Sequence, residues 1–220
     1  MVSYRFPMPS KPFRKRESII QAAARVFARK GFFSASVAEI ATEAGVGKGT
    51  IYGYFSSKDD LFFAVFEWIA ETSWTQARIG VSALGATAAD KLRALSRSLL
   101  DQWADMSEFF GLIMEFWSAS ASSQHRERFM DMFRQIYSNF RGIVSGLIRE
   151  GMDRGEFRKD VDSDAVAAAL VGTWDALILQ AWFDDTFDLE ITTDRFLSVV
   201  LRGLAASGSP DLEGPIRRTP

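Results

Sequence analysis

Residues 44–55 read AGVGKGTIYGYF, and these twelve positions decide between two unrelated proteins: a nucleotide-binding loop or a reader of duplex DNA. A phosphate-cradling loop needs G-x-x-x-x-G-K-[ST] delivered by a strand and opening a helix. Gly47 and Lys48 supply the inner pair, but Thr42 stands where the first glycine belongs and Gly49 where the hydroxyl residue belongs. The segment before the loop, SVAEIATEA, opens with Ser36 and carries Glu39 three positions later. That is a capping box, the signature of a helix start, so no strand delivers the loop. An NTPase is therefore not expected, and neither is any other enzyme.

The alternative is two short helices joined by a tight turn. Ala41 is small where the helices must approach, Gly45 stands where a left-handed turn residue is needed, and Val46 and Ile51 supply apolar contacts that set the angle. Ile40, Ile51 and Phe55 form one apolar set. A helix over about Arg14–Arg29 precedes the pair, with Ile19, Ile20, Ala23, Val26 and Phe27 on one face and Gly31 expected as a left-handed cap. Helical patterns follow over roughly 58–79, 87–105, 107–120, 123–153, 163–183 and 193–206, and no period-two run suggests a strand. The fold class expected is all-α: a three-helix head, then a larger helical body.

Charge divides the chain in the same way. Residues 1–58 hold ten Lys and Arg against three Glu, a balance of +7, whereas residues 59–220 hold 16 basic and 25 acidic residues, a balance of −9. A positive head on an acidic body is the footprint of a polyanion binder. The proline-punctuated arm before Arg14 adds basic residues suited to a groove or a phosphate backbone, and it equally suits a frayed chain end. The absence of cysteine removes disulfides and thiolate metal sites and fits a reducing, cytoplasmic setting. No secretory leader is visible. The apolar stretch 165–183 approaches membrane-spanning length, but Asp175 at its centre marks it as a bundle helix, so no membrane partner is expected. His125, the only histidine, sits in a polar SSQHRER segment and has no partners spaced for a triad or a metal.

SVAEIATEAGVGKGTIYGYFSSKDDLF, residues 36–62, resembles the DNA-binding signature of the TetR family of transcriptional regulators. With the helix before it, the resemblance covers about residues 14–62. It implies a helix-turn-helix domain over 14–58 after a flexible arm (1–13), a ligand-binding and dimerisation domain over 59–207, a flexible tail (208–220), and no cofactor. Position by position, it places Lys48, Thr50, Tyr52 and Tyr54 on DNA from the recognition helix. Lys58 would hold a phosphate at the next helix start, and Ser36 another at the second helix. Gly47 and Gly49 flank the lysine in the same motif. Two glycines depart from the family pattern: Gly47 replaces a frequent Ser, and Gly53 a larger residue whose absence costs helix stability.

The resemblance also implies a pocket in the body. Candidate lining residues recur at helical spacing: Trp103; Phe110, Met114 and Trp117; Phe133 and Tyr137; Trp174 and Ile178. Glu115, within the same apolar run, fits either a contact to a cationic or hydrogen-bonding ligand or a solvated edge or structural hydrogen bond, whereas Asp175 reads better as a structural group. Near the C-terminus Phe196, Val199, Val200 and Gly203 form an apolar stripe suited to a second copy of the chain. The function expected is a repressor that binds a palindromic double-stranded DNA operator as a homodimer and is released by a small lipophilic or aromatic effector. A helical adaptor with lost DNA specificity is the alternative.

Overall fold

A computed structural model describes residues 11–82, 87–106, 110–122 and 126–206, and among them every regular element is an α-helix. In chain order these are α1 (Lys11–Ser34), α2 (Val37–Glu43), α3 (Lys48–Tyr52), α4 (Lys58–Ser82), α5 (Ala88–Met106), α6 (Phe110–Ser122), α7 (Arg126–Asp153), α8 (Ser163–Phe183) and α9 (Leu189–Leu204). A single bridge, Phe157 with Ala205, is the one β-type pairing among them. The arm before residue 11, His125 and the tail from residue 207 lie outside the described residues.

Several boundaries differ from expectation for identifiable reasons. α1 starts at Lys11, inside the segment expected as a flexible arm, because Pro12 falls in the first turn, where a missing N–H costs nothing. α1 also continues past Gly31 to Ser34: Gly31 has φ 75° and ψ 160°, so it kinks the helix, which then resumes, instead of ending it in a left-handed cap. α9 begins four residues earlier than its apolar periodicity suggests, since the Asp188 carboxylate accepts from the Ile191 N–H and caps the helix there.

The chain forms two compact units. One comprises the described residues of Met1–Glu71 and Glu108–Phe129, the other those of Thr72–Ser107 and Met130–Pro220. In the first, Ile19, Ile20, Ala23, Val26 and Phe27 of α1 are all buried as the periodicity predicts, together with Ile40, Ile51, Phe55, Leu61 and Phe62. α6 packs on α1 within this unit. In the second, the core joins Leu92 and Leu95 of α5, Val144 and Ile148 of α7, Leu170, Val171 and Trp174 of α8, and Leu197 and Leu201 of α9.

Where α7 ends, Gly151 lets the chain fold back on itself. The Phe157 ring lies against its backbone, and the Glu156 and Phe157 N–H groups both donate to the Gly151 carbonyl, at 2.8 and 3.1 Å. The Glu156 carboxylate accepts from the Ala88 N–H at 2.6 Å, which ties the start of α5 to this turn. A methyl group at Gly151 would overlap the Phe157 ring and lie 2.9 Å from the Ala88 methyl. Gly151→Ala is therefore expected to destabilise the protein by about 1–3 kcal/mol, read as a lowered midpoint in thermal or urea unfolding. An unchanged midpoint would show that the turn relaxes freely.

Candidate nucleic-acid interface and effector region

The interface begins with α2. Ser36 has extended backbone angles, and its hydroxyl accepts from the Glu39 N–H while the Glu39 carboxylate accepts from the Ser36 N–H, completing the expected capping box. α2 ends at Glu43, and Gly45 adopts φ 65°, the left-handed value that a side chain would resist. The Val46 N–H returns to the Ala41 carbonyl at 3.0 Å, which closes the turn over the small residue. Gly47 then stands at the N-cap of α3 with extended angles, and Lys48, Gly49, Thr50, Ile51 and Tyr52 make up that helix.

Ile51 and Phe55 anchor α3 from within, each almost fully buried. The residues around them are left to solvent: Lys48 and Gly49 are exposed, Thr50 is half-buried, and Tyr52 and, past the helix end, Tyr54 keep 49% and 38% of their surfaces, high values for tyrosines beside a core. The Lys48 ammonium lies 6.0 Å from the Tyr52 ring centre, so cation and ring share one side of the helix. Gly53 lies outside the helix interior. It caps α3 in right-handed helical geometry, and a Cβ there would sit 3.3 Å from the Thr50 carbonyl. The stability cost anticipated for a mid-helix glycine does not arise.

The head's positive charge is partly spent internally. Glu43 pairs with Arg25 and Arg29, both at 2.9 Å, and Glu39 pairs with Lys30. The Lys30 hydrogen bond and the Ser36 cap hold the Glu39 carboxyl down to about 2. Lys58 is drawn inward as well. Its ammonium donates to the carbonyls of Phe32 (2.8 Å), Phe33 (3.3 Å) and Ala35 (3.1 Å). Lys15, Arg16 and Lys48 remain exposed, and no ion pair among the described residues engages them. The charge available to a polyanion is thus concentrated at the start of α1 and on α3.

The expected pocket residues fall in both units. Phe110 is buried and Met114 and Glu115 are half-buried on α6, in the unit that holds the head. Glu115 faces the head: its carboxylate accepts from the Phe32 N–H at 2.7 Å, the structural hydrogen bond that stood as the alternative to a ligand contact, with a partner 83 positions away that the sequence did not identify. Phe133, Tyr137, Trp174 and Ile178 belong to the other unit, whereas the side chains of Trp103 and Trp117 lie outside the described residues. Phe133 and Tyr137 stack at 6.5 Å between ring centres, and the Tyr137 hydroxyl donates to Asp175 at 2.7 Å. Trp174 is buried, and among the described residues its indole N–H has no hydrogen-bond partner, nor have the buried Ser96 Oγ and Gln102 Oε1 on α5. Such groups are costly unless something supplies the missing partner.

Burial pushes the Asp175 carboxyl above its ordinary range, against the opposing effect of the Tyr137 hydroxyl, and burial with the nearby carboxylate raises the Tyr137 phenol. Because the folded value of Asp175 lies above the unfolded one, its contribution turns unfavourable as pH rises from the unfolded value through the folded one. Asp175→Asn keeps an acceptor for Tyr137 and removes that penalty. Its melting point relative to the wild type should therefore rise between pH 4 and pH 7. A difference that is flat or falls over this interval contradicts the assignment.

Comparison with known proteins agrees with this geometry. A model of the bacterial regulatory proteins of the tetR family matches residues 19–65, and one of the C-terminal part of BetI-type transcriptional repressors matches residues 88–207. The fatty acid metabolism regulator protein of Bacillus subtilis is 25% identical over 197 residues, spanning 86% of this chain and 95% of its own. The HTH-type transcriptional repressor KstR2 of Rhodococcus jostii is 28% identical over 206 residues, 87% of this chain and 92% of its own. Among solved structures, the regulator FadR from Bacillus subtilis in complex with stearoyl-CoA has the same fold. It superposes with a TM-score of 0.68 at 24% identity, over 86% of this chain and 98% of that one.

Proposed function

The chain belongs to the TetR family, DNA-binding transcriptional regulators that respond to ligands, and from that premise we propose that it is a repressor that binds a palindromic operator as a homodimer and is released by a small lipophilic or aromatic effector. The observation that carries the reading is the outward face of α3. Lys48 and Tyr52 stay exposed on a five-residue helix anchored by Ile51 and held by the Gly45 turn, and Tyr54 stays exposed just past its Gly53 cap. Lys48 and the exposed cations at the start of α1 supply phosphate contacts, which position the head. Thr50, Tyr52 and Tyr54 supply the contacts that select sequence.

Dimerisation is supported by the apolar surface that one chain leaves uncovered. Val199 keeps 59% of its surface and Ile191 41%, and on α8 Phe183 keeps 73% and Trp182 40%. Phe196 and Val200 are half-buried beside the exposed Gly203, so α9 offers a stripe with a shallow centre. α8 is long and apolar enough to cross a membrane by composition, but Ala167, Leu170, Val171, Trp174 and Leu177 are already buried in its own unit. A second copy is the occupant we propose for the remaining apolar surface, and a palindromic operator asks such a pair to present its two recognition helices about one DNA turn, roughly 34 Å, apart. Val199→Glu on each copy would set two carboxylates into that stripe and is expected to shift the protein to monomers in sedimentation at micromolar concentration. A variant that sediments as the wild type does removes α9 from the interface.

For the effector, support comes from the stacked Phe133 and Tyr137 rings, the half-buried Ile178 and the unpaired Trp174 indole N–H. An apolar molecule carrying one acceptor suits that set. The B. subtilis regulator of the same fold was solved in complex with stearoyl-CoA, a ligand with a long apolar part. The deciding experiment selects duplexes from a random pool with the full chain, then measures Lys48→Ala and Tyr52→Ala on the enriched site and on mixed-sequence DNA. Lys48→Ala should weaken both and reduce the salt slope by about one. Tyr52→Ala should weaken the enriched site alone, and an empty selection rules the reading out.

A further inference from the structure

Beyond the face that touches DNA, we infer that Glu115 is a positioning residue for DNA reading, because its carboxylate, carried by α6, fixes the joint between α1 and α2 from which the recognition helix is hung. The inference rests on DNA reading by α3.

The joint begins at Gly31. With φ 75° and ψ 160° that residue leaves the helical path, so the Phe32 N–H that follows lacks the carbonyl an unbroken helix would give it. Only a glycine leaves room for what replaces that carbonyl. A Cβ at Gly31 would lie 2.6 Å from Glu115 Oε1, and in the space it vacates the other carboxylate oxygen accepts from the Phe32 N–H at 2.7 Å. No ion pair among the described residues engages Glu115, so the charge is directed at this one amide. Charge-assisted bonds of that kind are among the stronger ones a backbone makes.

The other side of the same residue is held by a cation. The Lys58 ammonium, at the first residue of α4, donates to the carbonyls of Phe32, Phe33 and Ala35 and lies 4.5 Å from the Phe32 ring centre. The Phe32 ring is in turn fixed between Phe27 of α1 and Phe62 of α4, at 5.7 and 4.5 Å. Phe32 thus has its N–H held from α6 and its carbonyl from α4, while its ring lies between side chains of α1 and α4. From Phe32 four residues lead to the Ser36 cap, then through α2 and the Gly45 turn to α3, with backbone or cap hydrogen bonds at nearly every step. A shift of the joint is therefore passed on to the orientation of Lys48, Tyr52 and Tyr54.

The test uses the full chain and the duplex enriched by its own selection, with mixed-sequence DNA as reference, well below each protein's melting temperature. Glu115→Ala should lose about tenfold or more in affinity for the enriched duplex while its affinity for mixed DNA stays the same. Amide exchange over residues 31–35 should accelerate in step. Glu115→Gln, which keeps an acceptor oxygen at the same reach, should recover most of the lost affinity and protection. Should the alanine variant fail to fold, Glu115→Asp, whose acceptor is one methylene short, takes its place with the same expected loss. An unchanged affinity ratio in the alanine or aspartate variant overturns the inference, as does a glutamine variant as impaired as the alanine one. Failure of the wild type to enrich any duplex instead removes the premise of DNA reading, and the two failures are told apart by which protein shows them.

Discussion

The recognition helix has five residues, too few to be stable by itself. Its existence therefore depends on one backbone constraint: the left-handed conformation at Gly45, which lets the chain reverse within a few residues so that Ile51 joins Ile40 in the core. Once Ile51 is buried, Tyr52, about 100° further round the helix, is left outside. Lys48, the first residue of α3, is exposed with it on the same side, where its ammonium faces the Tyr52 ring.

Electrostatics in the head then obey a division of labour. Both acidic residues of α2, Glu39 and Glu43, are neutralised from α1 by Lys30 and by Arg25 and Arg29. These exposed pairs add little stability individually. What they accomplish is spatial, since every carboxylate so occupied is kept from opposing a phosphate near α3. The same reasoning covers Lys58, whose ammonium is directed at three carbonyls of the α1 end and is thereby drawn away from the surface. Net charge counted along the sequence overstates what DNA would meet.

How much of this could be read beforehand depended on whether the signal was local. The capping box at Ser36, the Gly45 turn and the buried face of α1 are set by neighbours within a few residues, and all were legible. Asp188 as the start of α9 was legible in principle, because Asp is a preferred cap, but the apolar period that located the helix begins later. Glu115 was not legible. In the sequence it is a charge within an apolar run, which suggests a ligand as readily as a backbone amide 83 positions away. Nor could spacing show that Phe110 and Met114 group with the head while Phe133 and Tyr137 group with the other unit. Periodicity reports which face of a helix is apolar, and it carries no information about which other helix covers that face.

The two units also differ in how their polar groups are treated. Around Phe32 the interior groups are matched: amide to carboxylate, carbonyls to ammonium, ring to rings. In the other unit a buried indole N–H, a serine hydroxyl and a glutamine oxygen have no partner among the described residues, and burial holds a carboxylate above its ordinary titration range although a phenol donates to it. Each unmatched group raises the free energy of that unit as it stands. A molecule that supplies the missing donors and acceptors gains that energy on binding, whereas in the head the matched joint around Phe32 leaves no such gain available. A regulator needs this asymmetry: a rigid part whose geometry is read by DNA, and an under-satisfied part whose equilibrium a small molecule can shift.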